Sequence, residues 1–203
     1  MREDLRAGRQ EEIAAAAYDV LREKGYLGMS MLAVAKRAQA SNETLYRWFG
    51  DKRGLCLVLV ARNTDAVRAQ LAQELEAGLA ANRPALDILH SFGPILLTHL
   101  LAETTVALYR AAASDPTGAV GSAISGAGRE QIFPLIRQVM RRARRRGALT
   151  FDRPAAAVTL YLALLVGETQ LRRVIGQDPE PDAPFVHRRS EAAFEQFVRL
   201  VGV

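Results

Sequence analysis

The stretch SMLAVAKRAQASNETLYRWF, residues Ser30–Phe49, decides the fold of this chain. Ser30 and Ser41 each precede a short segment with apolar residues at helical spacing. Serine is a preferred N-cap because its hydroxyl accepts a hydrogen bond from a free backbone N–H of the first turn. We therefore predict one short helix over about Met31–Ala38 and a second over Asn42–Phe49. Two short capped helices joined by a tight turn are typical of a helix-turn-helix unit.

Helical periodicity continues on both sides of this unit. Upstream, apolar residues recur at i, i+3 and i+4 from Ile13 to Leu21, and Gly25 is placed to end that helix. Further helices are predicted over about 51–81, 85–101, 102–114, 119–146, 154–175 and 185–200. A break or kink is expected near Gly126–Gly128. Because no alternating strand-type run lies between hairpin turns, the predicted fold class is all-α.

The composition narrows the class of protein. With 203 residues, 49% hydrophobic and 24% charged, the chain can form a sizeable core and is not of the disordered type. The lone Cys56 rules out an internal disulfide and fits a reducing cytoplasm. The longest apolar stretch, Ala155–Gly167, is shorter than the roughly 20 residues of a membrane helix, and the N-terminus lacks a signal peptide's apolar segment. We expect a cytoplasmic protein without a membrane partner.

The second helix of the unit carries side chains suited to contacting DNA. Leu45, Trp48 and Phe49 share one face and are predicted to anchor the helix. Asn and Arg bond bidentately to adenine and guanine, whereas Thr and Tyr hydroxyls reach phosphates. Plain core packing would explain the anchoring face but not an outward Tyr and Arg. The predicted contacts are Asn42, Glu43, Thr44, Tyr46 and Arg47, with Lys52 at the next helix start, and the net charge of +5 fits a polyanion.

Residues Arg9–Leu59 resemble the N-terminal domain of TetR-type transcriptional regulators, through IAAAAYDVLREKGY, MSMLAVAKRA and SNETLYRWFGDKRGL and their spacing. The resemblance implies phosphate contacts by Ser41, Thr44, Tyr46 and Lys52, base contacts by Asn42, Glu43 and Arg47, and weaker candidates in Met31 and Lys36. One departure lies in the turn, where Gln39-Ala40 stands in place of the family's usual Gly-Val. A non-glycine residue with positive φ there would be strained by about 1 kcal/mol.

The resemblance also implies the organisation of the whole chain. A DNA-binding domain is expected over 1–50, with the helix-turn-helix at about 30–49, followed by a helical ligand-binding and dimerisation domain over 51–203. The segment ALYRAAASD and a late GAL resemble the AefR-like C-terminal class. Such regulators are homodimers, usually repressors, that bind a palindromic operator and respond to a small molecule.

The last two predicted helices indicate a dimer surface. Residues Pro154–Gly167 are apolar almost all round, which favours burial on every side. A second subunit supplies that burial most simply, so a homodimer through 154–175 and 185–201 is predicted. One stripe of the last helix, expected in that surface, comprises Ala193, Phe194, Phe197, Val198 and Val201. The alternative is that these helices pack only within their own chain.

A small apolar or amphipathic effector is expected to bind the second domain. Ligand sites combine apolar walls with a few polar groups. The candidate lining residues are Phe92, Leu96, His99, Tyr109, Phe133, Ile136, Met140, Leu164 and Glu168, each of which is also compatible with an ordinary core. The alternative function is a DNA-binding dimer that takes no small molecule and answers to a protein partner.

An enzyme is not expected. The histidines lack metal-ligand spacing, one cysteine cannot form a thiolate zinc site, and no G-x-S-x-G or complete P-loop is present. No catalytic residue, metal site or cofactor is therefore predicted. The arginine run at 141–146 is interpreted as a solvated last helical turn, where cations complement the C-terminal dipole.

Overall fold

A computed structural model describes the backbone of Arg2–Val203 and the side chains from Arg6 onward. Over this range the structure is helical, with an isolated antiparallel bridge between Leu149 and Gly202 and no strand. The predicted all-α class is confirmed. The helices are α1 Arg2–Gly28, α2 Met31–Arg37, α3 Asn42–Phe49, α4 Lys52–Ala80, α5 Ala85–Leu101, α6 Glu103–Ser114, α7 Ala119–Ala127, α8 Phe133–Arg145, α9 Pro154–Val166, α10 Thr169–Val174 and α11 Ala183–Val201.

The caps of the first helices act as predicted. The Ser30 hydroxyl accepts a hydrogen bond of 3.2 Å from the Ala33 N–H, and the Ser41 hydroxyl accepts one of 3.0 Å from the Thr44 N–H. Gly25 takes a φ of 65°, which interrupts α1 before its final turn. These interactions are local in sequence, and this is why the sequence predicts them well.

The helix predicted over 154–175 is divided in two. Gly167 has a φ of 51°, where α9 ends and before α10 begins. The Arg189 guanidinium donates hydrogen bonds of 3.0 Å and 2.6 Å to the carbonyls of Leu165 and Leu164, which have no intrahelical partner at the end of α9. The positive φ of Gly167 favours glycine, and a Cβ there would lie 2.6 Å from the Arg189 guanidinium, which would have to shift.

The long helix predicted over 119–146 is interrupted near the expected position. One π-helical turn, Gly128–Ile132, separates α7 from α8. Pro134 occupies the first turn of α8, where its missing N–H costs no intrahelical bond. Ala127 and Phe133, which flank this turn, keep helical φ and ψ, so the irregularity expected near Gly126–Gly128 is a π-helical turn within a continuous helix and not a break.

The described chain forms two compact units. Unit 1 comprises the residues up to Asn63 together with Glu103–Ser125, and unit 2 comprises Thr64–Ala102 and Gly126–Val203. These units follow packing, and α4 contributes residues to both. The functional domain boundary at residue 50 stays a prediction.

Each unit has its own buried core. In unit 1, α1 packs against α2 and α6, and α2 packs against α3. In unit 2, α5, α8, α9 and α11 pack together around Phe92, Tyr161 and Phe197, which are fully buried. The rings of Tyr161 and Phe197 meet edge to face with centroids 5.3 Å apart, and the Tyr161 hydroxyl donates to the Leu89 carbonyl at 3.2 Å.

Within the described part of the chain, no single helix has both the length and the apolar character needed to cross a membrane. The bent pair α5 and α6 meets that requirement together, by length and composition only.

Candidate DNA-binding surface

The turn between α2 and α3 is held by a side chain from α1. Gln39 has a φ of 50°, the positive value anticipated for this turn. The Arg9 guanidinium donates hydrogen bonds of 2.8 Å to the Ala38 carbonyl and 2.7 Å to the Gln39 carbonyl. Arg9 also forms an ion pair with Glu12. Because the turn carbonyls accept from a cation at the C-terminal end of α2, these contacts offset part of the strain at Gln39.

The two faces of α3 differ as the sequence predicts. Leu45 and Phe49 are buried, at 0% and 8% exposure, and fix the helix to the core of unit 1. Tyr46 is 51% exposed. The exposed side chains of the opposite face are Asn42, Glu43, Tyr46 and Arg47. The structure therefore places four of the predicted DNA contacts together on one accessible surface of a helix whose other side is anchored.

Ser41 and Thr44 lie at the N-terminus of α3 and combine capping with a free donor. Their hydroxyl oxygens are 2.8 Å apart, and either one can donate to the other. Each hydroxyl carries one hydrogen. Whichever hydroxyl accepts this bond therefore keeps its own hydrogen for a further acceptor, such as a phosphate oxygen.

Lys52 begins α4 and is held by Tyr26. Its ammonium donates a hydrogen bond of 2.9 Å to the Tyr26 carbonyl and lies 4.4 Å from the centroid of the Tyr26 ring. An ammonium has three donors, so this arrangement leaves N–H groups for a phosphate. The sequence predicts the position of Lys52 at the helix start but not its contact with a residue 26 positions earlier.

The two weaker candidates on α2 have different environments. Met31 is only 5% exposed and packs in the core of unit 1, so its side chain does not reach the surface. Lys36 is exposed. Leu32, next to Met31, is 53% exposed. In a helix as short as α2, periodicity alone leaves it open which of two adjacent residues turns inward.

Further contacts fasten the helix-turn-helix to α1. The Arg37 guanidinium donates hydrogen bonds of 3.0 Å and 2.6 Å to the two Glu23 carboxylate oxygens and lies 3.7 Å from Asp19. The hydrogen bond from Arg37 lowers the pKa of Glu23. The Arg6 guanidinium lies 5.5 Å from the centroid of a Trp48 ring. Sequence patterns do not predict these contacts, since each partner is remote along the chain and no local motif marks it.

The residues predicted to line an effector site are divided between the two units. Tyr109, in α6, belongs to unit 1. Burial lowers the pKa of His99 to about 4, so its imidazole is neutral at pH 7. In unit 2, Phe92, Leu96, Ile136 and Met140 are buried in the core, His99, Phe133 and Leu164 are half-buried, and Glu168 is exposed.

Two clefts lie within single units. A cleft of about 320 Å³ in unit 2 is lined by residues 82–87 and by Arg142, Ala143, Arg146 and Ala148. A smaller one of about 80 Å³ in unit 1 is lined by Tyr18, Asp19, Arg22, Glu103, Thr104 and Ala107. Neither cleft contains a residue predicted to line the effector site.

The stripe of α11 predicted for a dimer surface packs inside its own chain. Ala193 and Phe197 are buried at 1% and 0% exposure, and the Phe194 ring meets His90 at a centroid distance of 4.8 Å. The reason is that α11 lies against α5 and α9, which cover this face. On α9 the exposed residues are Ala155, Ala156, Thr159 and Ala163.

Among residues 6–203, no three His, Cys, Asp or Glu side chains are grouped so that they could hold a metal ion. Burial raises the pKa of the Cys56 thiol to about 11, so the thiol is protonated at neutral pH.

Two capped helices, a turn pinned by Arg9 and an outward face of polar side chains on the second helix define a DNA-binding protein of the helix-turn-helix class. Residues 13–59 match the family described as bacterial regulatory proteins, tetR family. Residues 87–201, more than half of the chain, match the AefR-like transcriptional repressor, C-terminal domain. The chain belongs to the TetR family, with a C-terminal domain of the AefR-like type, and is a DNA-binding transcriptional regulator.

Similar proteins support this assignment. Over 50 residues the chain is 36% identical to YdeS, an uncharacterized HTH-type transcriptional regulator of Bacillus subtilis, and the match spans a quarter of this chain and a quarter of that relative's length. A TetR transcriptional regulator from Agrobacterium tumefaciens superposes with a TM-score of 0.73 at 27% identity, over 96% of this chain and 95% of that one. The Flavonoid-responsive Regulator FrrA superposes with a TM-score of 0.68 at 25% identity, over 97% and 98% of the two chains.

Proposed function

We propose that the protein is a repressor that binds a palindromic operator as a homodimer and is released from it by a small apolar or amphipathic effector. The observation that carries the DNA-binding part is the exposed face of α3. Its backbone is fixed by the Ser41 cap, by buried Leu45 and Phe49, and by the Arg9 contacts to the preceding turn. A rigid helix keeps its side chains in place for the major groove.

Each exposed side chain takes the contact that its chemistry allows. Arg47 and Asn42 are assigned to base edges because their planar groups form paired hydrogen bonds, and Glu43 can accept from cytosine. The Tyr46 hydroxyl has one hydrogen and is assigned to a phosphate. The remaining phosphate contacts are assigned to Ser41, Thr44 and Lys52, with Lys36 as a weaker candidate, and Met31 is omitted because its side chain is buried.

The homodimer is proposed to form through 154–175 and 185–201. On α9 the exposed stripe of Ala155, Ala156, Thr159 and Ala163 carries no charge, which is unusual for a solvated helix face. On α11 Leu200 is 63% exposed. A second copy of the chain would cover both, and a two-fold axis would present two α3 helices to inverted half-sites.

One finding supports the repressor role and another supports a small effector. The C-terminal match is to a repressor domain, and FrrA, similar along nearly its whole length, is named for its response to flavonoids. Flavonoids are aromatic ring systems that carry hydroxyl groups, and the predicted lining residues of unit 2 include the polar His99. The neutral His99 imidazole can both donate and accept a hydrogen bond.

The test begins with selection of bound DNA from a random pool by the full chain. We expect two inverted half-sites, and a selected motif without inverted symmetry contradicts the proposed homodimer. Flavonoids and other amphipathic phenols are then titrated into the complex. A 100-fold loss of operator affinity corresponds to about 2.7 kcal/mol of preference for the non-binding conformation. A compound that raises the Tm without changing operator affinity would show binding without release, contrary to the effector role.

A further inference from the structure

Asp115, in the loop between α6 and α7, is a buried carboxylate of unit 1 with donors on several sides. It is 7% exposed. It accepts hydrogen bonds from the Val120 N–H at 3.0 Å, from the Thr117 N–H at 3.1 Å and from the Thr117 hydroxyl at 2.8 Å. The Tyr26 hydroxyl, from the end of α1, donates the fourth bond at 3.3 Å. The Val120 N–H, followed by the Thr117 groups, holds the pKa of Asp115 at about 2 against the opposing effect of burial.

Tyr26 connects this carboxylate to Lys52. Its hydroxyl faces Asp115, whereas its carbonyl and the face of its ring hold the Lys52 ammonium. Tyr26 is itself only 7% exposed and follows the break in α1 at Gly25. Tyr26 therefore contacts the α6–α7 loop through its hydroxyl and the Lys52 ammonium through its carbonyl and ring face.

We propose that Asp115 and Tyr26 are positioning residues for the Lys52 ammonium, so that the state of the α6–α7 loop sets the strength of the Lys52 phosphate contact. This rests on the proposed function, in which Lys52 binds an operator phosphate. A lysine side chain has four rotatable bonds, and it loses conformational entropy when its ammonium binds a phosphate. The contacts with Tyr26 restrict the Lys52 side chain before DNA binds. The hydrogen bond to Asp115 in turn fixes the hydroxyl end of the Tyr26 ring against which the ammonium lies.

A double-mutant cycle on operator affinity tests the proposal. Asp115→Asn removes the charge and leaves one acceptor oxygen where the carboxylate has two, although the Thr117 N–H bonds to Oδ1 and the Val120 N–H to Oδ2. Tyr26→Phe is the cleaner variant, because it removes only the hydroxyl that faces Asp115. Each is measured alone and together with Lys52→Ala on the selected operator. We expect each to weaken binding about 3- to 10-fold when Lys52 is present and less than about 2-fold in the Lys52→Ala background. The slope of log affinity against log salt is expected to fall by up to about 0.9, the value of one phosphate contact.

Tyr18→Phe is the matched control. The Tyr18 hydroxyl also lies on α1 and donates a hydrogen bond of 2.9 Å to the Leu59 carbonyl. The substitution removes one partly buried hydrogen bond of unit 1 without touching Lys52. Its effect on affinity is expected to be the same in both backgrounds, with an unchanged salt slope. Thermal melting checks that each variant is folded at the assay temperature. If Asp115→Asn is unfolded there, the result for Tyr26→Phe alone decides the test.

The outcomes separate this inference from the proposed function. Equal effects of Asp115→Asn and Tyr26→Phe in the two Lys52 backgrounds overturn the inference and leave operator binding intact. An unchanged affinity of Lys52→Ala also overturns it, because the ammonium then makes no phosphate contact. Failure of the wild-type chain to select any DNA sequence refutes the proposed function itself.

Discussion

Replacing Arg9 with alanine removes the side chain that holds the turn of the helix-turn-helix. Arg9 is remote from the turn in sequence, yet its guanidinium makes two hydrogen bonds there, to the carbonyls of Ala38 and Gln39 at 2.8 Å and 2.7 Å. The positive φ of Gln39 costs about 1 kcal/mol of backbone strain, as it does for a residue with a Cβ in this region. Without Arg9 the turn keeps this backbone strain and loses the two hydrogen bonds that partly offset it.

The structure sets the size of the effect. A hydrogen bond that involves a charged group contributes about 1.5–3 kcal/mol. The Arg9 side chain is 34% exposed, so solvent screens both bonds and reduces that contribution. We therefore expect Arg9→Ala to lower the free energy of unfolding by about 1–2 kcal/mol in total, with an unchanged dependence on denaturant.

Urea denaturation of the full chain measures this change, and native-state hydrogen exchange at the Ala40 N–H locates it. That N–H bonds to the Ala35 carbonyl at 2.9 Å within the turn. Glu12→Gln serves as one control, since it removes the Arg9–Glu12 ion pair but not the turn contacts. Arg68→Ala is the matched surface control, because Arg68 lies 3.4 Å from Asp65 in an exposed pair on α4.

Arg9→Ala is expected to differ clearly from the two controls. The two controls are expected to change stability by less than about 0.5 kcal/mol, as exposed ion pairs usually do. If Arg9→Ala is no more destabilising than Arg68→Ala, or if exchange at Ala40 is unchanged, Arg9 does not support the turn.

Three further predictions concern DNA contacts, assembly and pH. Arg47→Ala should flatten one base-pair preference in each half-site of the selected DNA, with a loss of about 1–3 kcal/mol of discrimination, whereas Tyr46→Phe should weaken all sequences alike by about 1–2 kcal/mol. A motif that stays sharp at every position in Arg47→Ala would assign Arg47 to the backbone. Ala163→Glu places a charge on the exposed stripe of α9 and should yield monomers in sedimentation experiments, whereas Gln138→Glu, exposed on α8, should not; a dimeric Ala163→Glu chain would exclude this face. The pKa of Asp115 is lowered from 3.8 to about 2, so its ionised form stabilises the fold above about pH 4 and that stabilisation is lost as the pH falls to about 2. The Tm deficit of Asp115→Asn should therefore be full at pH 5–7 and shrink towards pH 2, and a deficit that does not change with pH would contradict an ionised Asp115.

The apolar stripe of the last helix illustrates a limit of sequence patterns. Periodicity groups Phe194 and Phe197 on one apolar stripe, and either an internal core or a subunit interface is compatible with such a stripe. In the structure Phe197 packs against Tyr161 in the core of unit 2, so Phe197→Asp would test folding rather than assembly. Only the packing of α11 against α9 distinguishes the two cases.

The sequence by itself determined the all-α class, the bounds of α3, those of α2 to within one residue, and the exposed face of α3. These depend on the Ser30 and Ser41 caps and on which residues recur at helical spacing, and both are local interactions within a few positions. The irregularity that begins at Gly128 was predictable for the same reason, since glycine and proline act on their own turn, although it is a π-helical turn and not a break.

Tertiary structure alone decided which partners within the chain hold the cations of the DNA-binding region. Arg9 is committed to the turn, Arg37 to Glu23, and Lys52 to the Tyr26 carbonyl, and none of these partners is close in sequence. The carbonyls at the end of α9 likewise accept hydrogen bonds from Arg189, on a distant helix. Contacts between residues far apart along the chain depend on how helices pack, and hydrophobic periodicity records only that a face is buried, not what lies against it.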